Sequence, residues 1–584
     1  MTKSNFDLAI VGLGPRGHYA LERFVQELSR ADTVKAVRIL LVEETEQLGN
    51  GPVWDLSQPD SNWSNVNDRI LELPARPEIN LGTALIKSFP SYLDWAVTNP
   101  AARSKDNSDH YPPRNVVGTY LHERFATLLH PLVEHGIAKL VQERAVAAAL
   151  TENGASVTTR SGVKFFADQV LLTVGHQPTQ QDPQIEGWQA EIEAKDELCL
   201  FDEPYPVGPI VDAAKTSTET AVAVRGYGLA TIDVVRAIAV AYGSFSLRDE
   251  QSRELKFAPA EQVVPTIIPF SLDGLPMGPK PVNEQLDRQF APSEEAVERL
   301  GRELSDPGLQ ARATGEAFLL DAITPIIGSV FRGLENRRDD APSDIDALHQ
   351  LVRAWIEDPA QGHKCCLDTD QPPIDLLKNL VQMANGSAPV SLDYCIGQVW
   401  RHCHPTIYSS LSHSALSDHI LAEIILTDES MKRYAFGPPI ESLQQLLALC
   451  EAGMLDLEYL ADPDINVADH GWLLTSGENH ATAQIMVNAV LDAPKIADVR
   501  SPLIEGLLED GLVAPVHDEL GVATTADGYV ISQNDSVLRI AVLGRLAKGT
   551  IIGVDAILEC FGERPRTWAS SAAKRAVVKS VETQ

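Results

Sequence analysis

The stretch Phe6–Phe24, FDLAIVGLGPRGHYALERF, places a glycine-rich turn between an apolar segment and a segment with helical periodicity. The glycines stand at Gly12, Gly14 and Gly17, which is the spacing of a dinucleotide-binding strand–turn–helix unit. In such a unit the first glycine permits a tight turn, the second lets a pyrophosphate approach the backbone, and the third lets the helix pack closely on the strand. We therefore assign Gly12, Gly14, Pro15 and Gly17 to the binding of a dinucleotide.

A second apolar strand is predicted at Val37–Val42, and it ends at Glu43 and Glu44. An acidic side chain at that strand end can accept hydrogen bonds from the ribose hydroxyls of adenosine, and it would repel a 2′-phosphate. The first site is therefore predicted to hold FAD or NAD rather than NADP, with Glu43 as a ligand of the ribose.

The segments after Glu43 favour FAD. The glycine-rich loop LGNGPVWD carries Gly49 and Trp54, and many two-dinucleotide flavoproteins place such a loop against the flavin. The amides of Asn62, Asn65 and Asn67 follow, and we assign Asn65 to polar atoms of the ring or ribose. An Asn-rich surface turn is the alternative interpretation of this stretch.

Composition limits the possible partners. The chain has 584 residues, which suits two or three domains, and a formal net charge of −33. Such a charge disfavours nucleic acid and anionic membranes, and an anionic substrate would need a local basic pocket. The chain shows no signal peptide after Met1, no C-x-x-C pair among its seven cysteines, and no apolar run of the ~18 residues that a membrane span needs. We therefore expect a cytoplasmic protein.

The order of these motifs carries a family resemblance. GLGPRG, the acidic strand end, GNGPVWD and NVNDRI are continued by SFPSYLDW at Ser88–Trp95 and by YPPRNVVGTYL at Tyr111–Leu121. The chain thereby resembles the FAD/NAD(P)-binding flavoprotein family that includes FAD-dependent urate hydroxylase and nitrosuccinate-forming aspartate N-monooxygenase. In that family Pro-Pro-Arg-x-x-x-Gly-x-Tyr-Leu is a marker. Its arginine, Arg114, could reach a phosphate or the flavin edge, and a surface ion pair is the alternative.

Two further segments are assigned to FAD. The strand in ADQVLLTVGHQP ends at Thr173, Gly175 and His176, similar to the strand end that passes the FAD in two-dinucleotide flavoproteins. His176 could titrate near the flavin or serve in packing. Near the C-terminus, a strand ending at Gly544 and a turn at Gly549 correspond to the segment that closes around the FAD in relatives, and a helix is predicted from Gly553 or Asp555.

A second strand–turn–helix unit is predicted at Thr220–Ala239, with Gly226 and Gly228 in the first two glycine positions and Thr231 in the third. It predicts an NADH or NADPH site, or else a unit that kept its fold and lost its ligand. The next strand ends in Ser271-Leu272-Asp273-Gly274, where relatives often have Ser-Arg for the 2′-phosphate of NADPH. Arg225 and Lys280 are possible compensating cations.

We thus predict an α/β fold: a two-dinucleotide-binding-domain, Rossmann-like flavoprotein with a large helical insertion. The predicted parts are an FAD-binding domain at 1–200, the second unit at 205–290, a helical region at 291–465 and a return to the FAD domain at 466–584, beginning with the strand in ATAQIMVNAV. In the helical region, the cationic segment Gly397–Leu411 offers Arg401 and His404 as ligands for a substrate carboxylate. Its spacing disfavours a metal site.

The resulting functional hypothesis is an FAD-dependent oxidoreductase that uses NADPH or NADH. The resemblance implies a monooxygenase that consumes oxygen and hydroxylates a small polar amine or amino acid, with nitrogen as a candidate position. A flavin reductase or dehydrogenase with another acceptor is the alternative enzyme. A flavin-bound sensor without turnover is the alternative from a different class. The sequence assigns no catalytic side chain and no oligomeric state.

Overall fold

The structure is a computed structural model that describes residues 6–30, 37–99, 109–215, 221–260, 263–491, 495–518, 520–533 and 537–581. Two mainly parallel sheets organise the described residues, and each carries one of the predicted glycine turns. The predicted α/β fold with two dinucleotide-binding units is therefore confirmed.

The first sheet has the strand order Tyr529–Ile531, Val537–Val542, Val170–Leu172, Leu8–Val11, Ile39–Val42 and Ala138–Val141. The Tyr529–Ile531 edge is antiparallel, and the other pairs are parallel. The central strand Leu8–Val11 is buried along its length, with Ile39–Val42 on one side and Val170–Leu172 on the other. The first sheet is therefore assembled from both ends of the chain.

The second sheet has the order Cys199–Phe201, Ile485–Asn488, Ala221–Arg225 and Thr266–Phe270, with every pair parallel. The strand in ATAQIMVNAV, predicted to return to the first domain, is the Ile485–Asn488 strand of this second sheet, so that prediction is wrong. Buried parallel strands of either sheet have the same apolar pattern, so the pattern could not assign the strand to one of them. The return to the first sheet comes later, with Val537–Val542 beside Val170–Leu172.

Smaller antiparallel elements complete the strands. They are Ile79–Asn80 with Leu85–Ile86, Ala145–Thr151 with Gly154–Thr159 and Lys164–Ala167, Gly243–Asp249 with Glu254–Pro259, and Asp464–Ala468 with Gly471–Ser476 and Asn479–Ala483. The turns between the strands of the second group contain Asn153 and Ser161-Gly162.

The helices divide between the nucleotide units and the insertion. Those of the nucleotide units are Pro15–Ser29, Tyr92–Thr98, Arg114–Glu134, Pro183–Ile192, Gly208–Lys215, Leu229–Tyr242, Pro502–Glu509, Ile557–Cys560 and Glu563–Val581. Those of the insertion are Glu284–Asp287, Glu294–Ser305, Pro307–Gln310, Ala317–Gly333, Ile345–Glu357, Pro373–Ala384, Leu392–Leu411, Asp418–Ala435 and Ile440–Glu451. The insertion is mostly helical, as predicted. Within the described ranges, no helix is long and apolar enough to cross a membrane.

The helix predicted from Gly553 or Asp555 begins instead at Ile557. The residues before it make contacts that a helix would not permit. A Cβ on Gly553 would lie 2.2 Å from the ring of Tyr408, and the Val554 carbonyl accepts a hydrogen bond from Arg16 Nη2 at 2.9 Å. These contacts bind the C-terminal segment to the helical insertion and to the helix Pro15–Ser29, which follows the first glycine turn.

Candidate cofactor sites and the seam between them

The first glycine turn is fixed by backbone contacts between adjacent strands. Gly12 has φ +90°, and a Cβ there would lie 2.5 Å from the carbonyl oxygen of Thr173, so only glycine fits. Gly12 N donates to Val42 O at 2.9 Å, and Thr173 Oγ1 donates to Gly12 O at 2.6 Å. A Cβ on Gly17 would lie 2.1 Å from Gly12 O, so the helix can approach the turn only without a side chain.

Gly14 has a different surrounding. It precedes Pro15, the first residue of the helix, whose start has no side-chain cap. A Cβ on Gly14 would contact only Gly51 Cα, at 3.8 Å. The uncapped N–H groups of a helix start attract phosphate, and the bare backbone gives it a close approach. The turn therefore fits the pyrophosphate of FAD.

Glu43 follows the second strand, at the edge of the sheet where the turn lies. Its Oε2 accepts from Leu13 N at 2.7 Å, and its Oε1 accepts from Thr45 N at 3.0 Å and Thr45 Oγ1 at 2.9 Å. The carboxylate is thus held beside the glycine turn and is only partly buried. Oε2, which accepts only from Leu13 N among the described residues, can accept a further hydrogen bond from a ribose hydroxyl.

The GNGPVWD loop packs directly on the glycine turn. Gly49 N donates to Leu13 O at 2.7 Å, and a Cβ on Gly51 would lie 3.3 Å from Gly14 Cα. The carbonyl of Trp54 rests on the helix Arg114–Glu134, where a Cβ on Gly118 would lie 2.0 Å from it. The glycine of the Pro-Pro-Arg-x-x-x-Gly-x-Tyr-Leu marker thus lets this loop lie against the helix.

The tyrosine of the marker is also structural. Tyr120 OH donates to Pro90 O at 3.1 Å and accepts from Arg124 Nη1 at 2.8 Å. Its ring lies 5.5 Å from that of Trp95. The SFPSYLDW and PPRNVVGTYL motifs therefore pack on each other behind the loop that carries Trp54.

Two further strand ends meet the first turn. Gly175 and His176 continue the Thr173 strand and are exposed. Gly544 follows the neighbouring strand Val537–Val542 and has φ +99°, and a Cβ there would lie 2.9 Å from Arg16 Nε. Gly549, in the turn that comes next, has φ +125°. All the residues assigned to FAD except Asn65 and Arg114 thus lie in or beside the loops at this edge of the sheet or on the segments packed against them.

The second glycine turn repeats the first, except that the hydroxyl bound to the turn carbonyl comes from a different position in the unit. Gly226 N donates to Phe270 O at 2.7 Å, as Gly12 N does to Val42 O. Ala489 N donates to Arg225 O at 2.8 Å, as Thr173 N does to Val11 O at 2.8 Å, so Ala489 stands where Thr173 stands. Ala489 has no hydroxyl. Thr231, in the third glycine position, supplies one instead, and its Oγ1 donates to Gly226 O at 2.8 Å.

Gly228 precedes the second glycine-turn helix, Leu229–Tyr242, and a Cβ there would meet no atom within 4 Å. The same cradle for a phosphate is therefore present. Ser271 occupies the position of Glu43, because it follows Phe270 as Glu43 follows Val42.

The candidate compensating cations are both engaged. Arg225 pairs with Asp182 at 2.6 Å, and the Lys280 ammonium donates to the Asn65 carbonyl. Asp273 pairs with Arg433, which the sequence did not single out.

Arg114 lies in a buried seam between the two units. Its Nη2 lies 2.7 Å from Asp233 Oδ2, its Nη1 donates to Tyr205 OH at 3.2 Å, and its Nε donates to Trp63 O at 3.2 Å. Tyr205 OH in turn donates to Asp233 Oδ2 at 2.6 Å. The ion pair is buried rather than on the surface. The Arg114 guanidinium donates its hydrogen bonds to the second unit and to the loop that carries Trp63.

Arg236 extends the seam, and sequence reasoning missed it. It is 2% exposed, stacks at 3.7 Å over the ring of Trp63, and donates to Gln445 Oε1 at 2.5 Å. Burial lowers the pKa of Arg236 to about 10, against the opposing effect of Asp233. The helical periodicity that marks Arg236 as inward-facing in an apolar helix was the available signal.

A cationic cluster lies next to Asn65. Arg401 pairs with Asp287 and donates to Gln398 Oε1 at 2.9 Å. Arg69 lies 3.4 Å from Asp287 and 3.1 Å from Asp109. Burial would raise the pKa of Asp287, but His402 and Arg401 hold it well below its ordinary value.

Lys280 belongs to the same cluster through Arg401. Burial, followed by the neighbouring Arg401 charge, lowers the pKa of Lys280 to about 7. We define the cationic cluster as Arg69, Lys280 and Arg401 with the carboxylates Asp109 and Asp287. It joins the Asn65 loop of the first domain to the helical insertion.

His404 does not share this cluster. It stacks on Tyr408 with ring centroids 4.8 Å apart, and its Nε2 lies 3.3 Å from Asp428. Asp428 also accepts from Trp400 Nε1 at 2.8 Å and from Tyr408 OH at 3.0 Å. The structure therefore separates the two residues proposed for substrate. No group of three metal-ligating side chains occurs in the part of the chain that the structure describes.

Several known proteins have sequences similar to this chain. Residues 9–177 match the model of the FAD-NAD(P)-binding family. The chain is 24% identical to L-aspartate N-monooxygenase (nitrosuccinate-forming) of Streptomyces cremeus, over 88% of this chain and 84% of the relative. It is 23% identical to nitrosuccinic acid synthase of Aspergillus oryzae, over 89% of this chain and 83% of the relative.

Among solved structures, L-lysine 6-monooxygenase from Pseudomonas syringae matches with a TM-score of 0.44 at 12% identity, over 99% of both chains. An open structure of cyclohexanone monooxygenase matches with a TM-score of 0.44 at 12% identity, over all of this chain and 89% of the other. The family match covers the segment that forms most of the first sheet and its glycine turn. The chain is thus similar at residues 9–177 to the FAD-NAD(P)-binding family, and over most of its length to nitrosuccinate-forming enzymes.

Proposed function

We propose that this protein is an FAD-dependent, NAD(P)H-using monooxygenase that oxygenates the amino nitrogen of a small amino acid. The observation that carries the proposal is the pair of phosphate-cradling glycine turns, each at the carboxyl edge of a parallel sheet, in one chain. An FAD site together with a nicotinamide site supports hydride transfer between two cofactors. The similarity over most of the chain to two nitrosuccinate-forming enzymes supports oxygenation at nitrogen.

The first cradle would hold the FAD. The turn at Gly12 and Gly14 would receive the pyrophosphate, Glu43 would accept hydrogen bonds from the adenosine ribose, and the Trp54 loop would lie over the cofactor. When bound, FAD supplies the acceptance of hydride and the reaction with oxygen. The turn at Gly226 and Gly228 would receive the pyrophosphate of the nicotinamide cofactor.

The cationic cluster would bind the substrate. In a chain with a net charge of −33, an anionic metabolite needs a local concentration of positive charge. Arg69 and Arg401, with Lys280 when it is protonated, provide it next to the Asn65 loop, whose amide was predicted to contact polar atoms of the ring or the ribose. Guanidinium groups match carboxylates through paired hydrogen bonds, so we propose an amino acid with an acidic side chain, such as L-aspartate.

The test begins with the absorption spectrum of the purified protein, followed by anaerobic reduction with NADH and NADPH separately. Oxygen and nucleotide consumption are then measured with and without L-aspartate, glutamate and lysine. We expect a bound flavin that a nicotinamide reduces, and oxygen uptake that an acidic amino acid stimulates. Steady nucleotide oxidation without oxygen uptake would contradict the monooxygenase.

The substrate site is tested with Arg401→Ala. Removing the guanidinium should raise the KM for the acidic substrate about tenfold or more while the protein retains its flavin. The matched change Arg353→Ala removes an arginine that pairs with Asp321 on the surface of the insertion, and it should leave KM unchanged. Equal KM values for the two variants would remove Arg401 from the substrate site.

A further inference from the structure

We propose that Arg114, Tyr205 and Asp233 are positioning residues that hold the second nucleotide unit in the register needed for hydride transfer to the first. This inference rests on the proposed function and adds to it a role for the seam. It replaces the expectation that Arg114 binds a phosphate or the flavin.

The positions of the three residues carry the inference. Arg114 is the first residue of the helix Arg114–Glu134, on whose second turn Gly118 supports the Trp54 loop. Asp233 lies in the second glycine-turn helix, two residues after Thr231, whose hydroxyl binds the Gly226 carbonyl. One ion pair of 2.7 Å thus connects the support of the flavin loop to the cradle of the nicotinamide cofactor.

The triad is closed on itself. Tyr205 OH is held between the two charges, accepting from Arg114 Nη1 at 3.2 Å and donating to Asp233 Oδ2 at 2.6 Å. The remaining guanidinium nitrogen, Nε, donates to the Trp63 carbonyl at 3.2 Å. Arg114 N also donates to Asn62 O at 2.8 Å, so both its main chain and its side chain bind the Asn-rich loop.

Because this ion pair is buried, it fixes the relative position of the two elements that it joins. Asp233 is 3% exposed, and Arg236, one helical turn later, stacks on Trp63 at 3.7 Å. A buried carboxylate that loses its guanidinium partner must find another or move toward water. The second glycine-turn helix is therefore held at one position along the Asn62–Trp63 segment rather than free to slide over it.

Hydride transfer makes this position matter. Reacting atoms must come within about 3–3.5 Å, and a misplacement of about 1 Å can cost on the order of 100-fold in rate. The flavin is held by the first domain and the nicotinamide by the second. Their separation therefore depends on the contacts that join the two units, and the triad is a buried, charged contact of this kind.

The experiment compares the holoenzyme with Asp233→Asn, Tyr205→Phe and the control Glu254→Gln. Glu254 pairs with Arg248 at 2.6 Å on the exposed hairpin of the second unit, away from the seam. Three quantities are measured: the rate of anaerobic flavin reduction at saturating NADH or NADPH, the rate of reoxidation by oxygen after reduction with dithionite, and amide hydrogen exchange in Leu229–Tyr242. The last does not depend on activity.

We expect Asp233→Asn to lower the flavin reduction rate about tenfold or more at saturation, with flavin content and reoxidation unchanged. Exchange in the first turn of Leu229–Tyr242 should become faster. Tyr205→Phe keeps the ion pair and removes the two hydrogen bonds of the Tyr205 hydroxyl, so it should lower the reduction rate about fivefold or more. It carries the test if Asp233→Asn does not fold. Glu254→Gln should match the wild type.

Two outcomes would overturn the inference: a reduction rate equal to wild type in both seam variants, or equal losses in reduction and reoxidation, which would show general disruption. The proposed function fails separately. If neither nucleotide reduces the wild-type flavin, hydrogen exchange still tests the seam, and unchanged exchange in Asp233→Asn would refute it.

Discussion

Gly118→Ala is the sharpest test of how the flavin loop is supported. Gly118 and Gly187 both lie inside helices, Arg114–Glu134 and Pro183–Ile192, and alanine is favoured over glycine in a helix interior by about 1 kcal/mol. Helix propensity alone therefore predicts that both substitutions stabilise the protein. Their surroundings differ. A Cβ on Gly187 would meet no atom within 4 Å, whereas one on Gly118 would lie 2.0 Å from the Trp54 carbonyl oxygen.

The contact at Gly118 cannot be relieved by a side-chain rotation, because the atom it meets belongs to the backbone. The Cβ would also lie 3.0 Å from the Trp54 carbonyl carbon. Inserting a methyl group into packed surroundings costs about 1–3 kcal/mol. The free energy of unfolding of Gly118→Ala should therefore lie below that of Gly187→Ala by about 1–3 kcal/mol, with the common gain in propensity cancelled in the comparison.

The same displacement should reach the cofactor. The Trp54 loop contacts the glycine turn, because Gly51 lies against Gly14. A shift of the loop that makes room for the added methyl group would therefore alter the pyrophosphate cradle. The FAD dissociation constant of Gly118→Ala should rise about tenfold for each 1.4 kcal/mol by which the substitution weakens the free energy of FAD binding. Urea unfolding and flavin titration of the apoprotein measure the two effects. If Gly118→Ala matches Gly187→Ala in both, the loop is not supported in this way.

Three further substitutions test the electrostatics and the second turn. Glu43→Gln loses the charge that faces the ribose and should raise the FAD dissociation constant about tenfold in a flavin titration; an unchanged constant would contradict the role of Glu43. Lys280 has a pKa of about 7 against 10.5 in the unfolded chain, so the unfolded state binds more protons between these values and wild-type stability rises with pH there. The free energy of unfolding of wild type relative to Lys280→Met should thus rise by more than about 1 kcal/mol from pH 7 to pH 9.5, and a flat difference would exclude the lowered pKa. Thr231→Gly should weaken nicotinamide binding measured by fluorescence titration, and the double change with Ala489→Thr should restore it; equal loss in both variants would refute the exchange of hydroxyls.

The parts of the fold that sequence predicted well depend on local signals. The glycine spacing at Gly12–Gly17 and the acidic strand end at Glu43 each require specific residue types within a few positions, because a turn and a strand end are built from neighbours in the chain. The helical insertion was predicted for the same reason. The strand Ile485–Asn488 was placed in the wrong sheet because its apolar residues determine that it is buried, not which strand it pairs with.

The seam shows a second limit. Arg114 was noticed within its marker motif, yet nothing near it in the sequence indicates that Asp233 is its partner. Arg114 was therefore given two roles, ligand of a phosphate or surface ion pair, and the structure gives it a third. The substrate assignment was limited in a similar way. Arg401 and His404 are three residues apart on one helix, but Arg401 faces Asp287 while His404 stacks on Tyr408.

The exchange between Thr231 and Ala489 bears on whether the second unit has lost its ligand. In the first unit the hydroxyl on the turn carbonyl comes from the neighbouring strand, through Thr173, and the helix position must be bare at Gly17. In the second unit the neighbouring strand carries Ala489, and the helix position carries the hydroxyl as Thr231. In a unit that had lost its ligand, we would not expect the missing strand hydroxyl at Ala489 to be matched by a helix hydroxyl at Thr231. The missing third glycine is therefore an alternative way to hold the same turn, and it argues for a working nucleotide cradle rather than a degraded one.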